Sequence, residues 1–148
     1  MIALLQRVSG ASCTIDGEIT AAIDTGLVIS LGVQRDDTEA AALRLAERVL
    51  SHRIFPDAAD RMNIDVRKIG GSLLIVPQFT LVADTRKGNR PGFSRAAPPS
   101  VGEALFESFV KACARHHEST VTGQFGADMK IALVNDGPVT IWLEVTPS

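Results

Sequence analysis

No apolar run in the 148-residue sequence approaches the roughly 18 residues that a membrane-spanning helix needs. Cysteine is scarce. Cys13 and Cys113 stand far apart and in no C-x-x-C arrangement, so they read as free buried thiols rather than a redox pair. Net charge is only −2, which argues against binding nucleic acid through bulk basicity. A secretory leader is also lacking: the start MIALLQRVSGASC is broken after four apolar residues by Gln6 and Arg7, with no basic segment before it. A cytoplasmic protein without membrane contact is expected. Catalytic signatures are missing too, including G-x-S-x-G, the P-loop glycine-lysine pattern, H-E-x-x-H and G-x-G-x-x-G after a strand. Cys13, Cys113, His52, His116 and His117 have no ligand spacing, so no metal and no cofactor is expected. The three histidines fall near predicted helix ends, where imidazole interacts favourably with the last carbonyls.

What is present is an ordinary globular composition, 45% hydrophobic and 22% charged, in a length that suits one domain spanning residues 1–148. Alternating patterns predict strands over 2–8, 13–15 and 18–23, with an Asp16-Gly17 hairpin turn. The run LVISLGV, 27–33, is nearly all apolar and predicts a buried central strand. A helix is expected over 38–53, capped by Asp36 or Asp37, with Leu43, Ala46, Leu50 and Ile54 on its apolar face. FPDAADRMN reads as loop. Gly70-Gly71 opens a further hairpin into 72–76, which PQFTL continues as far as Pro77 allows. Ser100-Val101-Gly102-Glu103 has the form of a capping box for a second helix over 101–116. Strands over 121–125, 130–135 and 139–145 close the chain. The fold class is therefore mixed α/β: a mostly antiparallel sheet or barrel with two packed helices.

Two stretches resist a purely structural account. TRKGNRPGFSR, 85–95, holds Arg86, Lys87, Arg90 and Arg95 with no acid, and suits either a solvated loop or a phosphate contact. LVNDGPVTIWLEV, 133–145, places Asn-Asp-Gly-Pro between two good strand segments and reads as a turn with an awkward proline. Thr80 is the one hydroxyl that invites a nucleophile role, but no base lies near it in sequence, so a hydrogen-bonding role is expected instead.

PQFTL (77–81) and NDGPVT (135–140) resemble the two signature motifs of the D-aminoacyl-tRNA deacylases. The start MIALLQRVSGASC, with Arg7, and the segments RPGFS (90–94) and GQFGADM (123–129) are similar as well, so the resemblance covers essentially the whole chain. The family pattern usually has Ser where this chain has Pro77. A related class that edits tRNA mischarged with L-alanine has Pro there, with Ala in place of Phe79. Phe79 and the complete N-x-G-P-x-T element favour the D-specific class; the alternative is the related L-alanyl/glycyl-tRNA editing deacylase.

The resemblance implies hydrolysis of the ester joining a D-amino acid to the 3′-terminal adenosine of tRNA, with glycyl-tRNA as a further substrate. It also implies assistance by the RNA's own 2′-hydroxyl and no indispensable protein side chain, consistent with the missing catalytic signatures. Gln78, Phe79 and Thr80 would form the catalytic segment, with backbone N–H groups as oxyanion donors. Phe125 and Met129 would hold the adenine. Gly137 and Pro138, joined by a cis bond, would block the direction of an L side chain from the other subunit of a homodimer, with Arg7 holding them. A non-catalytic β-barrel binding module would have no use for that constrained dipeptide.

Overall fold

Period-two burial organises the molecule. The computed structural model describes residues 1–147. Its elements run β1 (Ile2–Ile15), β2 (Glu18–Ile23), β3 (Gly26–Gly32), α1 (Glu39–Ser51), β4 (Phe55–Pro56), β5 (Met62–Ile64), β6 (Ser72–Pro77), a 3-10 turn (Phe79–Val82), α2 (Pro99–His116), β7 (Thr120–Thr122) and β8 (Lys130–Glu144). β1 carries β3 along its first half and β2 along its second half, while β8 lies antiparallel along its other edge. β6 adds parallel to β3, and β7 parallel to β6. Parallel neighbours need long crossovers, and α1 and α2 lie within those two connections. The expected mixed α/β architecture, a barrel-like sheet with two packed helices in one domain, is what forms. Its parallel centre was not anticipated.

β3 and β6 are apolar almost throughout because both of their faces are covered. Leu27, Ile29, Leu31, Leu73 and Ile75 point toward α1 and α2, where they meet Leu45, Val49, Phe106 and Phe109. The alternate residues Val28, Leu74 and Val76 point the other way, into a second cluster with Val8, Cys13 and Ile23. Strand crowding is tight at Gly26, where a Cβ would collide with the Ser72 carbonyl oxygen.

Several local expectations give way to longer-range structure. Residues 2–15 form one strand through Ser9 and Gly10, because β8 pairs along the whole length. The expected loop at 55–63 contains the small β4–β5 hairpin. Gly70-Gly71 opens no hairpin, since β6 joins the sheet in parallel, and PQFTL leaves the sheet at Pro77 for the 3-10 turn. Thr38, not Asp36 or Asp37, caps α1 by accepting the Ala41 N–H at 3.2 Å. Leu43 is exposed, and the buried face runs through Ala42, Leu45, Ala46 and Val49. α2 begins at Pro99, so Ser100 lies inside its first turn and makes no cap. Proline suits that first position because it has no N–H to leave unpaired.

Asp37 has a different task. Its carboxylate accepts the Met1 ammonium at 2.6 Å and the Gln34 N–H at 2.6 Å, and the Met1–Asp37 ion pair is wholly buried. The ammonium also donates to Val145 O at 2.8 Å, tying the first strand to the end of β8. His117 serves a similar function at the other helix: its Nε2 donates to Gly71 O at 2.6 Å rather than to a carbonyl of α2.

Candidate active site

Where β6 leaves the sheet, the chain turns sharply and opens a cleft of about 520 Å³. Pro77, Gln78 and Phe79 form one wall, Phe125 and Met129 the facing wall, and Ala97 from the segment before α2 a third. The cleft thus brings Gln78 and Phe79 of the expected catalytic segment together with Phe125 and Met129, while Thr80 follows in the turn and does not line it. Phe125 packs on Phe106 with ring centroids 6.2 Å apart, and a Cβ on Gly102 would just touch it, so glycine at that helical position makes room for the ring. Met129 sulfur accepts the Gln124 N–H at 3.4 Å, which fixes the thioether on its wall.

Phe79 is 61% exposed, an unusual state for so large an apolar group. Its one aromatic neighbour is Phe93, at 5.0 Å and tilted by 55°. Phe79 and Thr80 occupy the first positions of the 3-10 turn, where backbone N–H groups have no partner within the turn. Among the described residues neither N–H meets a protein acceptor. The Thr80 hydroxyl accepts from Gln78 Nε2, and that pair is solvent-exposed. Among the described residues no base touches the Thr80 hydroxyl. The one carboxylate lining the cleft, Asp128, is 92% exposed and 3.8 Å from Lys130.

The second expected group lies elsewhere on the same chain. β8 pairs with β1 on both sides of Gly137–Pro138: Asn135 opposes Val8, and Thr140 opposes Gln6. The strand therefore keeps its direction, and the intervening residues bulge outward. They are not the turn expected from Asn-Asp-Gly-Pro. Asn135 and Thr140 clasp the neck of the bulge, with Asn135 Oδ1 accepting the Val139 N–H at 2.9 Å and Nδ2 donating to Thr140 Oγ1 at 2.8 Å. The Gly137–Pro138 bond is cis. Arg7 supports the bulge from beneath: Nε donates to Asp136 O at 3.0 Å and Nη1 to Ile54 O at 2.7 Å. Gly137 has φ +131°, and a Cβ there would lie 2.8 Å from Val139 Cγ2 and 3.1 Å from an Arg7 nitrogen. Gly137 and Pro138 are exposed, and neither lines the cleft of their own chain.

Residues 4–144 match the family model described as D-Tyr-tRNA(Tyr) deacylase. The chain belongs to that family. It is 58% identical to the D-aminoacyl-tRNA deacylase of Citrobacter koseri over 98% of this chain and 100% of that one. It is also 58% identical to the D-aminoacyl-tRNA deacylase of Pectobacterium atrosepticum, over 97% and 99% of the two chains. Among solved structures, the c-Myc DNA Unwinding Element Binding Protein superposes with TM-score 0.95 at 35% identity, covering 99% of this chain and 100% of that one. A probable eukaryotic D-amino acid tRNA deacylase superposes with TM-score 0.87 at 16% identity over 97% and 98% of the two chains, a likeness of fold.

Within this deacylase family member, sequence reasoning passed over Asn135 and Thr140 as individual residues, although both stand in the quoted NDGPVT. Their matched amide and hydroxyl, five residues apart, were the available signal. The Ile54 carbonyl that holds Arg7 carried none. Away from the cleft, burial pushes the Cys113 thiol up to about 12, which makes it an inert core group. The Arg86 guanidinium beside Asp84 holds that carboxyl well below the usual carboxylate range.

Proposed function

We propose that the chain hydrolyses the ester between a D-amino acid and the 3′-terminal adenosine of tRNA in the cytoplasm. The observation that carries this reading is whole-length similarity, at 58% identity, to chains named D-aminoacyl-tRNA deacylase. The cleft supports it chemically. Phe125 and Met129 supply an aromatic face and a soft thioether for the adenine. The ester carbonyl then lies against the turn of Gln78, Phe79 and Thr80. Water adds to the carbonyl carbon, and the unpaired N–H groups of Phe79 and Thr80 stabilise the charge that develops on oxygen. The bond to the 3′ oxygen breaks, that oxygen takes up a proton with help from the neighbouring 2′-hydroxyl, and the amino acid leaves as its carboxylate. An ester of this kind is already activated, so positioning and oxyanion stabilisation supply most of what the reaction needs. The lack of a base beside Thr80 fits that division of labour.

Selection between enantiomers is assigned to Gly137 and Pro138 of a partner subunit. An enzyme that accepts many D side chains cannot read the side chain itself. It must fix the ester and amino group and obstruct the direction an L side chain takes. Backbone without a Cβ, braced by Arg7, Asn135 and Thr140, provides such an obstruction. Exposure of Gly137–Pro138 away from the cleft of its own chain supports a homodimer with composite sites. The outer edge of β8 is open to pairing, with Val134 62% and Trp142 51% exposed along it. Glycine has no side chain to obstruct, so glycyl-tRNA is a substrate as well.

Pro77, at the cleft wall, favours one competing reading, an editor of L-alanyl-tRNA. Initial rates on D-aminoacyl-, L-alanyl- and glycyl-tRNA separate the two. Release from the D-aminoacyl and glycyl esters, with L-alanyl-tRNA left intact, is expected. Preferential release of L-alanine overturns the D-specific assignment.

A further inference from the structure

The loop between the 3-10 turn and α2 concentrates positive charge on a chain whose net charge is −2. Arg86, Lys87, Arg90 and Arg95 are all exposed, and Asp84 is the one acid nearby in sequence. The loop is braced. Asp84 and Gly92 exchange backbone hydrogen bonds at 2.7 and 3.0 Å. The Asp84 carboxylate accepts Arg86 Nε at 2.9 Å and Nη2 at 2.7 Å, which commits that acid to one cation. Lys87, Arg90 and Arg95 form no ion pair among the described residues.

Two concavities that meet at Ser94 carry this charge. One, of about 530 Å³, is lined by Arg86, Lys87, Arg90 and Ser94. The other, of about 500 Å³, shares Ser94 and is of mixed charge: Arg35 and Arg95 line it together with Asp36 and Asp37, of which Asp37 is committed to the Met1 ammonium, and an Arg35 N–H to Arg95 O bond of 2.9 Å joins the two arginine backbones. The strip begins at the rim of the cleft, because Phe93 of this loop packs on Phe79 at 5.0 Å and Ala96 and Ala97 line the cleft itself. Guanidinium forks match phosphate oxygens, and a basic groove follows a nucleic-acid backbone without reading bases.

We infer that Lys87, Arg90 and Arg95 hold backbone phosphates of the RNA strand leading away from the adenosine in the cleft. This rests on the deacylase reading above and adds the means by which the enzyme grips tRNA beyond its last nucleotide. The contact serves every tRNA alike, since phosphates carry no sequence.

The test compares a D-aminoacyl-tRNA with the same D-amino acid esterified to adenosine alone, across a salt series. In the double variant Lys87→Ala/Arg90→Ala, kcat/KM for the tRNA should fall by about tenfold, and its log–log salt dependence should flatten by roughly two contacts' worth. Turnover of the adenosine ester should stay unchanged, and Lys87→Arg/Arg90→Lys should restore the tRNA rate. Equal losses on both esters would mean that the loop acts by shaping the cleft, which overturns the inference. Unchanged tRNA turnover and salt dependence would overturn it as well. Wild-type protein inactive on both esters would instead sink the deacylase reading, and this inference with it; an active wild type separates the two failures.

Discussion

Gly137 sits at φ +131°, where L side chains rarely settle, and its missing Cβ leaves room for Val139 and Arg7. Gly137→Ala should therefore displace the bulge while leaving both core clusters intact. The expected outcome is a loss of deacylation of tenfold or more with a nearly unchanged melting temperature, checked by initial rates and thermal unfolding. Normal turnover would remove this backbone from chiral selection. Arg7 is a second lever, because one guanidinium joins Asp136 O to Ile54 O. Hydrogen bonds from a charged donor contribute roughly 1.5–3 kcal/mol each, so Arg7→Ala should lower stability by about 1–3 kcal/mol after relaxation, measured by denaturant titration. Thr80→Ala should keep deacylation within about tenfold of wild type, since its hydroxyl meets only Gln78. Complete loss in a folded variant would return Thr80 to nucleophile status. Gly137 and Arg7 could be named from sequence because they sit in distinctive motifs. The Asn135–Thr140 clasp left only the spacing of an amide and a hydroxyl five residues apart, which becomes a contact through the bulge that brings them within hydrogen-bonding reach.

Among the elements, α1, α2 and β8 show where local patterns stop deciding structure. Asp37 looked like a helix cap, but its carboxylate is claimed by the Met1 ammonium, and Thr38 caps α1 instead. That partner lies 36 residues away and leaves no trace in helical spacing. Removing one member of a buried pair strands the other charge, so Asp37→Ala should cost about 3–5 kcal/mol in urea or guanidinium unfolding. In α2, Cys113 offers a pH test. Burial pushes its folded pKa up to about 12, above the ordinary thiol value of 9.0, so the unfolded chain loses the proton first as pH rises. Stability from this group is full below pH 9 and should decline between pH 9 and 12, with Cys113→Ala flattening that limb. In β8, Asn-Asp-Gly-Pro carries every local mark of a turn, yet pairing with β1 on both flanks makes it a bulge across which the strand keeps its direction. Long pairing partners override turn propensity here, as they do at Ser9-Gly10 in β1.

For the molecule as a whole, alternation and a nearly unbroken apolar run were enough to read a mixed sheet with two helices. The parallel placement of β6 and β7 was not legible, because it depends on crossovers rather than on any property of the strands themselves. The cleft was legible only as two separate motifs, since Pro77–Phe79 and Phe125–Met129 meet through the fold. The chemistry proposed for it relies on backbone N–H groups, which every non-proline residue has and no motif search detects. The proposed composite site adds a prediction at this scale: solution scattering at micromolar concentration should return twice the 15.8 kDa chain mass. Monomers would leave Gly137–Pro138 without a cleft to enter. The most direct measurement is the ratio of kcat/KM for the two enantiomers of one amino acid carried on the same tRNA. Deacylation of the D form with the L form left intact is the predicted result; comparable turnover of both, or preference for the L form, would contradict the account.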